Sequence, residues 1–143
     1  MRRSLRELGV VCLLAIVPAL LAAWLHPRRP PAFADDGIAS LSVGEVSNLG
    51  PGQAVLWIDA RPEAAFRAGH VPGALRLAED DWETLLPHVV DAWSPSAFVI
   101  VYCDHVACDS SRQVAARLKR ELPIERIHVL EGGWEAWNQT RTK

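Results

Sequence analysis

The residues with the greatest capacity for covalent chemistry in this sequence are two cysteines, Cys103 and Cys108. Cys103 directly follows an apolar, β-branched run over residues 98–102, and a short polar loop and an amphipathic segment come after it. A thiol between a buried strand and a helix N-terminus is favoured as a thiolate, because free N–H groups and the helix dipole stabilise negative charge. We therefore predict that Cys103 is a nucleophile that reacts as the thiolate. The alternative is a buried structural cysteine.

The second thiol, Cys108, has two interpretations. It packs the loop as a small apolar residue, or it acts as a resolving thiol, since four intervening residues could curl to bring both sulfurs within disulfide range. His105 lies between the two cysteines and is either a proton relay or an exposed loop histidine. Three closely spaced ligands without a second cluster make a poor zinc set, so we expect neither a metal nor an organic cofactor.

Polar side chains also collect around Cys103. The predicted active-site loop contains Asp104, His105, Val106, Ala107, Asp109 and Ser110 in addition to Cys108. Asp59 and Arg61 follow an earlier predicted strand, and the carboxyl ends of parallel strands meet at one edge of a sheet. Arg61 could therefore pair with Asp59 or Asp104, or meet an anionic substrate.

Alternating strand and helix signals begin near residue 37. Strands are predicted over residues 54–58, 75–77, 98–102 and 127–130. Helices are predicted from capping-box pairs at Ser42–Glu45 and Ser110–Gln113, from Pro62, from the acidic pair at 80–81, and after the glycines at 132–133. This alternation predicts an α/β layered fold with a small, mostly parallel sheet between helices.

The residues at these element ends resemble a rhodanese-like domain. The resemblance covers residues 38–138 and rests on IDAR at 58–61, GHVPGA at 69–74, YC at 102–103 and GGWEAW at 132–137. It implies a three-layer fold in which Cys103 accepts a sulfane sulfur as a persulfide and passes it to a thiol or cyanide. It also implies that Asp59 and Arg61 help to brace the loop.

The loop after Cys103 departs from the pattern of that family. The family loop is shorter, contains a glycine and often carries arginines that hold an anionic donor. Here there is no glycine between Cys103 and Ser110, and Arg112 comes late, inside the predicted helix. Asp104 and Asp109 add negative charge where an anionic donor would bind, so we expect poor turnover of thiosulfate.

The N-terminal region predicts a membrane anchor. Residues 1–7 form a basic leader, residues 8–25 an uncharged apolar run of transmembrane length, and residues 26–37 a proline-rich tether. A removable signal peptide is the alternative. Arginines in the leader favour an N-terminus in the cytoplasm, which places the domain in the periplasm or an equivalent space. Residues 139–143 form a short tail.

The charge of the remaining chain limits its partners. Residues 30–143 carry 10 basic and 16 acidic side chains, which argues against nucleic acid and anionic membrane surfaces. The expected partners are a small sulfur-containing donor, a thiol acceptor and, as a further candidate, a protein thiol.

Three functions remain open from the sequence. The first is a membrane-tethered sulfurtransferase or thiol-redox protein that uses Cys103 as nucleophile with Cys108 as second thiol. The second is a catalytically weak module that keeps the rhodanese fold for binding or scaffolding. The third is a membrane-bound thiol-disulfide relay partner.

Overall fold

The structure, a computed structural model, describes residues 37–50, 52–105 and 109–141. Its strands are β1 (Ser40–Leu41), β2 (Val55–Asp59), β3 (Leu75–Arg76), β4 (Phe98–Tyr102) and β5 (Ile127–Leu130). Its helices are α1 (Val43–Ser47), α2 (Glu63–Ala68), α3 (Trp82–Ala92), α4 (Ser110–Glu121) and α5 (Gly133–Arg141). A short 3-10 turn over Glu79–Asp81 precedes α3.

The five strands form one parallel sheet with the spatial order β1-β5-β4-β2-β3. β4 lies at its centre, and four of its five residues are fully buried because helices cover both faces. Such burial explains why β4 reads as a continuous apolar run rather than an alternating one. All carboxyl ends therefore meet at one edge, where Asp59 lies opposite Tyr102.

Two hydrophobic clusters lie on opposite faces of this sheet. One packs α3 and α4 against the sheet through residues such as Val89, Val114 and Leu118. The other packs α1 and α5 through residues such as Val46 and Trp134. The predicted α/β fold, a small parallel sheet flanked by helices, is confirmed.

Several local predictions need correction. Ser42 and Glu45 form the expected capping box. The capping box predicted for Ser110 is wrong, because α4 already begins at that residue and Asp109 occupies the cap position without a side-chain cap bond. The acidic pair at 80–81 lies in the 3-10 turn, so α3 starts later than predicted, and β1 was not predicted at all.

No helix among the described residues is both long and apolar enough to cross a bilayer. The predicted anchor, residues 8–25, lies outside the part of the chain that the structure describes. The tether and the basic leader also lie outside it, except for Gly37.

Candidate active site

Cys103 lies directly after β4, with 2% of its surface exposed. Its Sγ lies 3.6 Å from the carbonyl oxygen of His105, to which the thiol can donate. The hydroxyl of Ser111, a buried residue in the first turn of α4, donates to Sγ at 3.4 Å. A hydroxyl donor aimed at sulfur stabilises a thiolate or persulfide anion, because hydrogen bonds to charged groups are stronger than those between neutral groups.

The first turn of α5 fixes the backbone of Cys103. The N–H of Trp134 donates to the carbonyl of Cys103 at 2.7 Å, and the N–H of Glu135 donates to that of Asp104 at 3.0 Å. This approach requires glycine at 133, because a Cβ there would lie 2.3 Å from the Cys103 carbonyl oxygen. The start of the last helix therefore sets the direction in which the chain leaves β4.

Arg61 connects the ends of β2 and β4. Its guanidinium binds Asp59 through Nε at 2.9 Å and Nη2 at 2.7 Å, and it reaches Asp104 through Nη1 at 3.3 Å. Nη2 also donates to the Gly69 carbonyl at 2.6 Å. The guanidinium carbon lies 4.9 Å from the centre of the Trp134 ring, a cation–π distance. Arg61 is thus a bracing residue.

Burial and charge act in opposite directions on Arg61, which is 3% exposed. Burial alone would lower its pKa, but the hydrogen bonds and negative charge of Asp59, with the bond to Asp104, raise the pKa above its ordinary value. The guanidinium therefore stays charged inside the domain. Because Asp59 and Asp104 already bind it, Arg61 offers little of its charge to an anionic substrate.

Tyr102 connects β4 to the turn that contains Gly73. Its hydroxyl accepts the N–H of Val71 at 3.1 Å. Burial raises the pKa of Tyr102, and the charge of Asp59 acts in the same direction, so the hydroxyl stays protonated. The turn is thereby held against the same sheet edge that carries Cys103.

The remaining predicted site residues are placed as follows. Asp104 and His105 are exposed, with 53% of the Asp104 side chain open to solvent. The described contacts of Arg112 are with the Ile38 carbonyl at 3.2 Å and Ser40 Oγ at 3.3 Å, beside β1. Val106, Ala107 and Cys108 lie outside the described residues. Within the described ranges, no group of His, Cys, Asp and Glu could hold a metal ion.

Two contributors to the site were missed by the sequence analysis. The sequence analysis gives no role to Ser111. A second serine at a predicted helix start is nevertheless a signal for a hydroxyl near the sulfur. Gly133 was interpreted only as a turn residue. Its φ of +55° and its contact with Cys103 show that it permits close backbone approach.

Comparisons with known proteins bear on the family and the fold of the chain. The thiosulfate sulfurtransferase GlpE of Shewanella oneidensis is 27% identical over 99 residues, which cover 69% of this chain and 91% of that protein. The thiosulfate sulfurtransferase GlpE of Tolumonas auensis is 28% identical over 97 residues, covering 68% and 85% respectively. The crystal structure of the BH2092 protein from Bacillus halodurans matches with a TM-score of 0.59 at 20% identity, covering 72% of this chain and 73% of that chain. That structural likeness supports the fold alone.

The family model of the rhodanese-like domain matches residues 42–140, from the N-cap of α1 into the last turn of α5. The match includes all five helices, the last of them up to residue 140, and every described strand except β1. Because it spans more than half of the sequence, the chain belongs to the rhodanese-like domain family.

Proposed function

We propose that this protein is a sulfurtransferase that carries a sulfane sulfur on Cys103. The observation that carries the proposal is the Sγ of Cys103 at the end of β4, contacted by the Ser111 hydroxyl at 3.4 Å. Distant similarity to two thiosulfate sulfurtransferases supports the same reaction class. In the first half-reaction the thiolate attacks the outer sulfur of the donor. A Cys103–sulfur bond forms, the donor's sulfur–sulfur bond breaks, and its electron pair leaves with the donor remnant.

The charge near Cys103 favours donors other than thiosulfate. With thiosulfate, the remnant of the step is sulfite, and the approaching donor is a dianion. Asp104 and Asp109 both follow Cys103 closely, and like charges in that position slow the approach. We expect a persulfide or polysulfide donor of lower negative charge density to load Cys103 faster than thiosulfate does.

The test is the mass of the intact protein after incubation with inorganic polysulfide and, separately, thiosulfate. We expect the addition of one sulfur atom, mapped by peptide analysis to Cys103 and released by a thiol acceptor. The Cys103→Ser variant should gain none, since a serine hydroxyl is a far weaker nucleophile at neutral pH. Cys108→Ser is the matched control and should still load.

Two outcomes would contradict the proposal. Sulfur loading that persists in Cys103→Ser would show that another residue is the nucleophile. A native protein that gains no sulfur from either donor and forms no disulfide would leave the binding or scaffold module as the better account of the fold.

We further propose that Cys108 resolves the persulfide, and that the domain is held at a membrane by residues 8–25. Resolution would mean attack of the Cys108 thiolate on Cys103 Sγ, which forms a disulfide and releases hydrosulfide. The support is the spacing of the two thiols and the tendency of such pairs to oxidise outside the cytoplasm. In the loading test, release of hydrosulfide without added thiol should disappear in Cys108→Ser.

The proposed location is a single-pass membrane protein with its domain in the periplasm or an equivalent compartment. The support is an apolar run of transmembrane length behind a basic leader. We expect the full chain to sediment with membranes and to resist extraction by high salt and alkali. A reporter enzyme fused after Lys143 that works only outside the cytoplasm should be active, whereas one that works only inside should not.

A further inference from the structure

A cavity of about 530 Å³ opens between the chain that follows Cys103 and the outer side of α5. It is lined by Asp104, His105, Trp134, Glu135, Asn138 and Gln139. Its volume falls within the range of small-molecule sites in proteins. The hydrogen bonds that position the backbone of Cys103 do not explain why this space is open.

One residue joins this cavity to the nucleophile. His105 lines the cavity, and its carbonyl oxygen lies 3.6 Å from Cys103 Sγ. Trp134 lines the same cavity, and its N–H holds the Cys103 carbonyl at 2.7 Å. A molecule seated in the cavity would therefore contact the residue whose carbonyl oxygen lies against the reacting sulfur, which suits the non-reacting part of a small substrate.

The charged side chains among these lining residues are both carboxylates. Among the described residues that line the cavity are the carboxylates of Asp104 and Glu135 and no lysine or arginine. Arg61 pairs with Asp104, but the same guanidinium also neutralises Asp59, so this group of three keeps one net negative charge. Among the described residues no cation pairs with the carboxylate of Glu135. The side-chain amide of Gln139 adds an acceptor suited to an ammonium group.

We propose that this cavity selects the sulfur acceptor by charge, and that the acceptor is a small thiol that carries a positively charged amine. The inference rests on the proposed sulfurtransferase function. The acceptor thiolate attacks the outer sulfur of the Cys103 persulfide. A new sulfur–sulfur bond forms on the acceptor, the persulfide bond of Cys103 breaks, and its electron pair returns to Sγ as the thiolate. The ammonium group meanwhile lies near Glu135.

The test uses three acceptors of similar size that differ in charge: cysteamine, N-acetylcysteamine and 3-mercaptopropionate. The full-length protein is loaded with inorganic polysulfide, loading is verified by mass, and the rate constant of sulfur release is measured for each acceptor. Each rate is then compared between the native protein and Glu135→Gln. The intrinsic reactivity of each thiol cancels in this comparison, because the same thiol is used on both proteins.

We expect Glu135→Gln to slow cysteamine about fivefold at low salt, to leave N-acetylcysteamine nearly unchanged, and to speed 3-mercaptopropionate by a similar factor. High salt should shrink these differences. Glu125→Gln is the matched control, since it removes the same charge before β5, at the opposite edge of the sheet, and should change none of the three rates.

Equal changes for all three acceptors would overturn the inference, because they would report a general disturbance of α5 rather than charge selection. Equal effects of Glu135→Gln and Glu125→Gln would also overturn it. A native protein that shows neither added sulfur nor a Cys103–Cys108 disulfide before any acceptor is present would overturn the proposed function, and the inference with it. The loading step thus separates the two failures.

Discussion

Gly133→Ala is expected to destabilise the domain by about 3 kcal/mol and to abolish most sulfur loading. Its φ of +55° costs an alanine about 1–2 kcal/mol. The new Cβ would also lie 2.3 Å from the Cys103 carbonyl oxygen, and forcing a backbone apart adds about 1–3 kcal/mol. To relieve the clash, α5 must withdraw from Cys103, so the bond from the Trp134 N–H is lost. Urea denaturation and the mass-based loading assay measure the two effects.

The matched control for that substitution is Gly73→Ala. Gly73 also has a positive φ, +79°, but no atom lies within 4 Å of the position its Cβ would take. It should lose only the conformational cost of about 1–2 kcal/mol and should keep loading sulfur. Equal losses of stability and loading in the two variants would show that the close approach at Cys103 has no special role.

Arg61→Leu is expected to lower the free energy of unfolding by about 3–5 kcal/mol, the usual cost of removing one partner of a buried ion pair. Asp59 would remain fully buried, and its carboxylate would lose the guanidinium charge while keeping the backbone N–H of residue 61 and the Tyr102 hydroxyl as donors. The Gly69 carbonyl and Asp104 would lose a donor as well. Equilibrium unfolding in urea at neutral pH gives the magnitude.

A double variant tests whether the unpaired carboxylate of Asp59 causes the loss of stability. Asp59→Asn combined with Arg61→Leu removes the charge and keeps an oxygen that can accept the backbone N–H. We expect it to recover a substantial part of the stability lost in Arg61→Leu, because replacing both partners costs less than leaving one unpaired. A double variant no more stable than Arg61→Leu would mean that the lost packing of the guanidinium on Trp134, rather than the unpaired charge of Asp59, causes the loss of stability.

The sequence predicted the central elements well because their signals are strong and local. β4 is apolar throughout, β2 and β5 are short apolar runs between breakers, and Ser42 carries the spacing of a capping box. The pairing of Arg61 with Asp59 and Asp104 combines two alternatives that sequence reasoning left open, since both carboxylates follow neighbouring strand ends. The role of Cys103 as nucleophile stays a prediction that the loading assay decides.

The missed features depend on partners far away in the sequence. β1 has two residues and no apolar alternation, and it exists because Ser40 and Leu41 pair with Val129 and Leu130 of β5. The predicted cap at Ser110 failed because α4 begins one residue earlier, with Asp109 at the cap position. The contact of Ser111 with the sulfur and that of Trp134 with the Cys103 carbonyl follow from helix docking, which local patterns do not encode.

The attachment of α5 to Cys103 has a consequence for biosynthesis. A ribosome makes the chain from its N-terminus, and domains acquire structure in that order. Cys103 therefore leaves the ribosome before Gly133 and Trp134 emerge to hold its backbone, and β1 must wait in the same way for β5. The thiol thus meets its cellular redox environment before its finished surroundings form, and a chain that ends before residue 133 would carry the cysteine without the contact that orients it.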